Sequence, residues 1–405
     1  MILLTIVSVL TLLYAFGLIL VRHRHNKMIH QIEHRIHVNG IRGKSSVTRL
    51  IAASLREGKV RTLAKTTGTA ARVITGHRAE TAVIRHEAAV GEQRRVMLDY
   101  FGKSPKAYQA IVFECMAINP LYQKYLEDKV MQSTVGVITN IREDHMDLLG
   151  TTLPEIARSL SATIPYNGHL VTAETNQEVL TIFEAECRKR HTRLHAVGSM
   201  VVGNKHMARF KHFEYKSNVA IAIKVAQIIG IDRTTAIKGM LKASADPGAF
   251  KLKQVTRKKT VVHWANLFAI NDRESFVLTV NALSNRVGAT TKKAIILNNR
   301  KDRPERVAQF VNICVKELDV DYIFTFGDYE YRVQQELKKY PDTTIKIVRL
   351  GNTSQHKNSS GSTLLNTMVT TFEGHETILF GAVNIHTPQA HSFLSTIEGK
   401  KHRVS

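Results

Sequence analysis

The chain has 405 residues, with 57 Lys plus Arg against 34 Asp plus Glu and a formal net charge of +23. That length suits two domains or three, and 43% hydrophobic with 22% charged residues excludes a disordered or fibrous chain. So large a positive charge calls for polyanionic company, whether nucleic acid, an anionic membrane surface or an acidic substrate or product, and composition alone leaves all three open.

Residues 1–21, MILLTIVSVLTLLYAFGLILV, carry no charged side chain. About 20 residues at roughly 1.5 Å each span a hydrocarbon core about 30 Å thick, so the segment is expected to be a transmembrane helix. Arg22, His23, Arg24, His25 and Lys27 follow at once, which by the positive-inside rule puts the rest of the chain in the cytoplasm. A cleaved signal peptide wants its positive charge before the apolar run and small residues after it, and neither is present. The expectation is a single-pass cell-membrane protein with its catalytic domains on the cytoplasmic side. His23, His25, His30, His34 and His37 crowd the following stretch, but no carboxylate-rich or cysteine cluster surrounds them, and residues 22–34 read as a basic juxtamembrane linker facing lipid headgroups. Cys115, Cys187 and Cys314 are odd in number and in no CxxC spacing, which argues against disulfides or zinc and fits a reducing compartment.

Beyond the linker, strands and helices alternate. Strands are expected at 35–39, 60–65, 109–114, 134–139, 168–173 and 193–197. Helices are expected near 44–56, 91–102, 121–130, 154–162, 176–190, 216–229 and 233–242, and a polar, mobile-looking stretch over about 66–90. Such alternation predicts a parallel, doubly wound sheet. Ala245-Asp246-Pro247-Gly248-Ala249 breaks the pattern, so a first domain is drawn over 35–245 and a second over 250–400. The second has strands near 259–264, 293–298, 321–326, 344–349 and 376–382, and helices near 274–284, 304–317, 329–338 and 360–371.

Val38-Asn39-Gly40-Ile41-Arg42-Gly43-Lys44-Ser45-Ser46 lies between an expected strand and an expected helix, the context a phosphate loop needs. The first glycine of GxxxxGK[ST] would fall at Val38, so the match is to the shorter GxxGK[ST]. Gly40, Gly43 and the helix start at Ser46 offer backbone N–H groups to anionic oxygens, Lys44 would reach the outer phosphates and Ser45 would bind Mg²⁺. Glu114 ends the strand QAIVFE, where the carboxyl edge of a parallel sheet places ligands, and can hold Mg²⁺ or else stand in a buried ion pair. Thr139-Asn140-Ile141-Arg142-Glu143-Asp144-His145-Met146-Asp147 concentrates three carboxylates and one imidazole after another strand, suiting a metal or substrate site or a solvated acidic turn. Lys65-Thr66-Thr67-Gly68-Thr69 offers hydroxyls and a cation near the same edge.

GIRGKSS, FECMA and TNIREDHMDLLGTT resemble the central domain of the Mur ligase superfamily. With the anchor, KTTGTAAR, SATIPYNGHL, the ADPGA hinge and GAVNIH, the chain is similar over almost its whole length to the family of poly-γ-glutamate synthase subunits known as PgsB or CapB. The resemblance implies an N-terminal transmembrane helix, a phosphate-loop central domain of Mur ligase type and a Rossmann-like C-terminal α/β domain. It implies ATP-dependent amide formation through an acyl phosphate, with glutamate and the growing polymer as substrates and small membrane subunits of an export complex as partners. Under it Lys44, Glu114 and His145 are catalytic, and Ser45, Thr67, Glu114 and His145 hold Mg²⁺ or Mn²⁺. Asn266, Asn271 and Asp272 resemble a loop that meets nucleotide when the domains close, while Arg300 and Arg303, with Asp302, suit acidic groups. Many superfamily members carry a carbamylated lysine about 14–15 residues after the motif histidine; here Ser159-Leu160 stands there and no lysine occurs from 148 to 188, so a second metal site is not expected in its usual form. A folylpolyglutamate synthase-like ligase is the rival enzyme, although a cytosolic one needs no anchor. A phosphate-loop NTPase powering transport or binding nucleic acid is the rival from another class, and no nucleic-acid motif supports it. Oligomerisation is left open.

Overall fold

The structure, a computed structural model, describes residues 2–68, 71–76, 79–84, 89–101, 107–210, 212–245, 252–268, 270, 272–300, 304–351, 360–383 and 387–399. Asn271, Asp302, Arg303 and Thr69 lie outside the described residues. The chain divides into two compact units, Met1–Ala249 and Phe250–Ser405.

The first unit begins with α1 (Ile2–Ile29), then β1 (His34–Asn39), α2 (Lys44–Glu57), β2 (Thr62–Thr66), β3 (Arg72–Ile74), β4 (Glu80–Ala82), α3 (Ala89–Phe101) and β5 (Ala110–Glu114). After α4 (Pro120–Tyr125) comes a π-helical stretch, Leu126–Met131, followed by β6 (Val135–Ile138), α5 (Met146–Leu149), α6 (Leu153–Leu160), β7 (His169–Thr172), α7 (Gln177–Lys189) and β8 (Arg193–Ala196). The unit closes with α8 (Asn204–Met207), α9 (Lys216–Ile228) and α10 (Arg233–Met240). The strand order is β4-β3-β2-β5-β1-β6-β7-β8. From β2 to β8 the pairing is parallel, and β3 and β4 add an antiparallel margin.

Strands buried on both faces read as unbroken apolar runs, as β5 (AIVFE) does, fully buried. Alternate residues of each strand feed cores on opposite faces. Ile36, Val38, Val112, Val135 and Val171 pack with Val47, Leu50 and Ile51 of α2 and the apolar faces of α9 and α10. Ile111 and Phe113 point the other way, toward Met97 and Phe101 of α3. Each such apolar side chain, fully buried, contributes about 1.5–3 kcal/mol.

Two stretches differ from the sequence expectation. Residues 3–16 and 18–21 of α1 are exposed, but the helix continues past the apolar run to Ile29, so residues 22–29 of the expected linker are helical. Met28, Ile29 and Ile32 enter the core beside Leu63, Val96 and Ile111 and fix the helix end to the domain. Their burial, not local polarity, decides the conformation. The stretch expected to be mobile contains β3 and β4, because Val73 and Ile74 find buried places against the sheet.

The second unit contains β9 (Leu252–Arg257), β10 (Thr260–Asn266), α11 (Arg273–Ser284), β11 (Lys292–Asn299), α12 (Glu305–Lys316), β12 (Tyr322–Gly327), α13 (Glu330–Leu337), β13 (Lys346–Arg349), α14 (Gly361–Thr371), β14 (Thr377–Ala382) and α15 (Pro388–Glu398). Its order is β13-β12-β11-β14-β10-β9, parallel except for the antiparallel edge strand β9. One core gathers around Trp264, 1% exposed, whose ring stands edge-on to Phe393 with centroids 5.2 Å apart. Its indole N–H donates to Glu398 Oε1 at 3.2 Å.

Candidate active site

In the first sheet β1 lies between β5 and β6. The chain leaves β1 toward β2 on one side and returns later to build β6, β7 and β8 on the other. A crevice opens at such a switch point, at the carboxyl ends of the strands. The loop from β1 to α2 occupies it.

Two glycines shape that loop. Gly40 has φ +124° and Gly43 φ +82°, and a Cβ on Gly40 would run into Thr139 Oγ1 while one on Gly43 would lie 2.8 Å from Asn218 Oδ1. No side chain caps the start of α2, so the first-turn N–H groups of Lys44, Ser45 and Ser46 are the ones an anion at this helix end would meet. Lys44 Nζ curls back over the loop, donating to Gly40 O at 2.6 Å and to Ile41 O at 3.4 Å. Burial lowers its pKa, and Glu114 is the largest of the charges that pull it back up.

Glu114, 2% exposed, ends β5 in register with Val38 of β1. Its Oε2 accepts the Ser45 hydroxyl at 2.8 Å and the Thr67 backbone N–H at 2.6 Å. Three residues far apart in sequence therefore meet at one carboxylate oxygen. A hydroxyl beside a carboxylate at a phosphate loop is the oxygen donor set a hard divalent cation takes. The glycine cradle, Lys44 and this pair fit a nucleotide with its metal.

The segment after β6 both supports the loop and faces the crevice. Thr139 Oγ1 donates to Arg42 O at 2.6 Å, while the Asn140 side chain accepts from Arg42 N and donates to Arg42 O, each at 3.1 Å. Asp144 Oδ2 is 3.2 Å from the Arg42 guanidinium, and Asp144 Oδ1 accepts the His145 N–H at 3.0 Å. His145 sits at φ 47°, ψ 42°, left-handed backbone in which His, with Asn and Asp, is among the enriched non-glycine residues, and its side chain is half exposed. Glu143 and Asp147, the other two carboxylates of the motif, are exposed. One cavity of about 260 Å³ is lined by Gly40, Lys44, Thr67, Glu114, Asp144 and His145 on its polar side and by Met116, Ile118, Leu149 and Leu160 on its apolar side. Leu160 thus faces the cavity near the place where a carbamylated lysine was considered, and Ser159 spends its hydroxyl on Leu149 O at 2.7 Å.

Sequence reasoning missed the parts played by Thr139 and Asn140 as clamps on the phosphate loop. Their signal was present, because both stand at a strand end opposite a glycine loop, but the acidic residues that follow drew the attention. It also missed the ion pair of Lys65 Nζ and Glu92 Oε1 at 2.7 Å, both fully buried behind the site.

In the second unit the described residues singled out lie at strand ends or at the start of a helix. Asn266 donates to Glu398 Oε1 at 3.1 Å. Asp272, 5% exposed, caps α11 by accepting Ser275 N–H at 2.8 Å. Arg300 follows β11 and is half-buried. Among the described residues these positions form no group of three or more metal-ligating side chains.

Residues 38–228 match the family model of the Mur ligase middle domain, and residues 252–400 match that of the poly-gamma-glutamate synthase CapB C-terminal domain. A crystal structure of MurF from Acinetobacter baumannii superposes with TM-score 0.62 over 92% of this chain and 78% of that one, at 13% identity, a likeness of fold alone. The capsule biosynthesis protein CapB of Bacillus anthracis is 36% identical over 75% of this chain and 65% of its own length. The PGA synthase CapB of Bacillus subtilis strain 168 is 35% identical over 91% of both chains. Identity at that level along nine-tenths of each sequence, carried on a Mur ligase fold with its phosphate loop in place, makes this chain a member of the PGA synthase CapB family.

Proposed function

We infer that the chain is an ATP-dependent ligase that extends poly-γ-glutamate, forming amide bonds through side-chain carboxyls between glutamate and the growing polymer, from a position anchored at the inner face of the cell membrane. The observation that carries this reading is the meeting of Ser45 and Thr67 on Glu114 beside the Lys44 loop, in a chain 35% identical to a PGA synthase. ATP with Mg²⁺ or Mn²⁺, when bound, supplies the phosphoryl group that activates a carboxylate for attack by an amine. Phosphoryl transfer asks the protein for positioning and charge stabilisation rather than a nucleophilic side chain.

The residues divide that work. Gly40, Gly43, Ser45 and Ser46 hold phosphate oxygens by backbone N–H groups. Lys44 exchanges its two carbonyl partners for phosphate oxygen and places its charge where negative charge builds up. Ser45, Thr67, Glu114 and His145 would hold the cation, whose charge would offset that of the phosphates. Asp144 and Asn140 keep Arg42 and the loop in position. The apolar wall of Met116, Ile118, Leu149 and Leu160 keeps water from an activated carboxylate, which otherwise hydrolyses. In the second unit Asn271, Asp272, Arg300 and Arg303 are the proposed contacts to nucleotide or to glutamate carboxylates. α1 is the anchor, its exposed apolar length suiting a bilayer. Small membrane subunits that export the polymer are the proposed partners.

The test is the full chain with its membrane subunits, ATP and glutamate. Phosphate release that depends on glutamate, together with a polymer of γ-linked glutamate, is expected. Phosphate release indifferent to glutamate, with no polymer, refutes the ligase reading.

A further inference from the structure

A second cavity, about 180 Å³, lies where the apolar run of α1 gives way to basic residues. Leu18 and Val21 form its membrane-side wall. Arg22 comes from the same helix, Arg94 from α3 and Lys129 from the π-helical stretch, so three elements converge three cations on one hollow. None of the three forms an ion pair with a carboxylate among the described residues. Three such cations around one hollow give it a positive field that attracts an anion.

His25 marks the floor of the cavity. It is 5% exposed, its Nε2 lies 2.9 Å from Val130 O, and its Nδ1 is buried with no hydrogen-bond partner. With Nε2 donating to Val130 O, Nδ1 is left as a bare acceptor, and burial with Arg94 and Arg22 holds the ring's pKa below its usual value, so His25 shapes the floor without donating into the cavity. The π-helical stretch, Leu126–Met131, is what brings Val130 O to His25 and swings Lys129 outward. On its inner side the same stretch turns Glu127 to His37, Oε2 to Nδ1 at 2.7 Å. Single π-turns inside helices recur at functional sites. The cavity is smaller than the roughly 300–1,000 Å³ of a small-molecule pocket, which suits a headgroup phosphate and not a whole lipid.

Taking α1 as a membrane helix, the proposal on which this inference rests, its apolar residues end at Val21. About 20 residues span the hydrocarbon, so Arg22 and the cavity stand at headgroup depth. We propose that Arg22, Arg94 and Lys129 form a binding site for the phosphate of an anionic phospholipid of the inner leaflet, which locks the ligase domain against the membrane in one orientation. Arginine forks match phosphate oxygens, and Leu18 and Val21 lie where the glycerol and first methylenes of such a lipid would run. Met28, Ile29 and Ile32 sit in the core, so an anchor held by lipid transmits its orientation to the sheet without a slack linker.

The experiment uses the full chain in detergent, with lipid retention read by native mass spectrometry against phosphatidylglycerol, phosphatidylcholine and inorganic phosphate. One phosphatidylglycerol per chain is expected, in preference to phosphatidylcholine and unaffected by millimolar inorganic phosphate. The Arg94→Ala/Lys129→Ala variant, whose substitutions lie at half-exposed and exposed positions and whose folding is checked by its thermal midpoint, is expected to lose about thirty-fold in retention, at roughly five-fold for each cation near an anionic surface. Equal retention of both lipids, or unchanged retention in the double variant, overturns the proposal. Displacement by inorganic phosphate also overturns it and makes the cavity a general anion site. A chain that fails to co-float with vesicles at all refutes the membrane reading of α1 instead. No arm contains ATP or glutamate, so the ligase reading stands or falls separately.

Discussion

Replacing Glu114 separates the structural role of its carboxylate from its electrostatic one. Its Oε2 holds two donors, and of these the Ser45 hydroxyl can rotate to another acceptor while the Thr67 N–H is fixed by the backbone. Glu114→Ala therefore strands one buried donor and is expected to destabilise the first unit by about 1–3 kcal/mol. For a unit of this size that lowers the thermal midpoint by roughly 2–4 °C per kcal/mol. Glu114→Gln keeps an oxygen that accepts from both donors, so the midpoint should move by less than about 1 kcal/mol equivalent. The charge is gone, however, and removing one preorganised electrostatic group typically costs about 10²–10³ in turnover, or about 2.7–4 kcal/mol of barrier. Lys44 adds a signature. Burial lowers its pKa and Glu114 is the largest influence raising it, so Glu114→Gln lowers it further and the high-pH limb of activity moves to lower pH. The assay is glutamate-dependent phosphate release over a pH series, with thermal midpoints taken on the same preparations. A Gln variant within about threefold of wild-type turnover, its alkaline limb unmoved, would remove Glu114 from the site and the metal assignment with it.

Three further outcomes follow from the same geometry. Gly40→Ala places a Cβ against Thr139 Oγ1 at φ +124°, and should weaken binding of a non-hydrolysable ATP analogue at least about tenfold by calorimetry; affinity within twofold of wild type counts against the cradle. Lys65→Met removes the cation paired with buried Glu92 and should cost about 3–5 kcal/mol in denaturant unfolding, most of it recovered in Lys65→Met/Glu92→Leu; a single variant as stable as wild type contradicts the buried pair. His37 is fully buried, and although burial opposes it, the neighbouring Cys115 and Glu127 raise its pKa from 6.5 to about 10. The folded state then holds a proton the unfolded state releases, so this stabilisation is whole below about pH 6.5 and fades toward about pH 10. Glu127→Gln should flatten that decline in a pH series of unfolding free energies, and an unchanged slope argues against the pair.

The sequence carried the site's first half clearly. Gly40, Gly43 and Lys44 stand between a buried strand and a helix whose Val47, Leu50, Ile51 and Leu55 keep helical spacing, and that local pattern needs no tertiary information. Glu114 was legible for a related reason, since the last residue of a parallel strand faces the crevice whatever surrounds it. That Ser45 and Thr67 share its Oε2 was not, because register between β1, β2 and β5 is set by packing over spans of 47 and 69 residues. The end of α1 was misplaced for the same kind of reason: hydropathy changes at Arg22, whereas the helix ends where Ile29 and Ile32 reach a core built mostly from later residues. The π-turn at 126–131 depends on Glu127 finding His37 and Ser133, contacts no periodicity records. By contrast α15 was missed although its pattern is local, with Ala390, Phe393, Leu394 and Ile397 at helical spacing after Pro388.

Trp264 is the chain's single tryptophan, and it lies in the core of the second unit. Indole emission excited near the red edge of protein absorption therefore reports that unit's unfolding and is blind to the first, whose unfolding shows only in circular dichroism. Substitutions at Glu114, Gly40, Lys65 or His37 all fall in the spectroscopically dark half. If any of them shifts the emission transition along with the dichroic one, the two halves melt as a cooperative whole. If the emission curve stays put while ellipticity moves, each half keeps its own stability, and ligand-induced coupling between them becomes measurable with no label added.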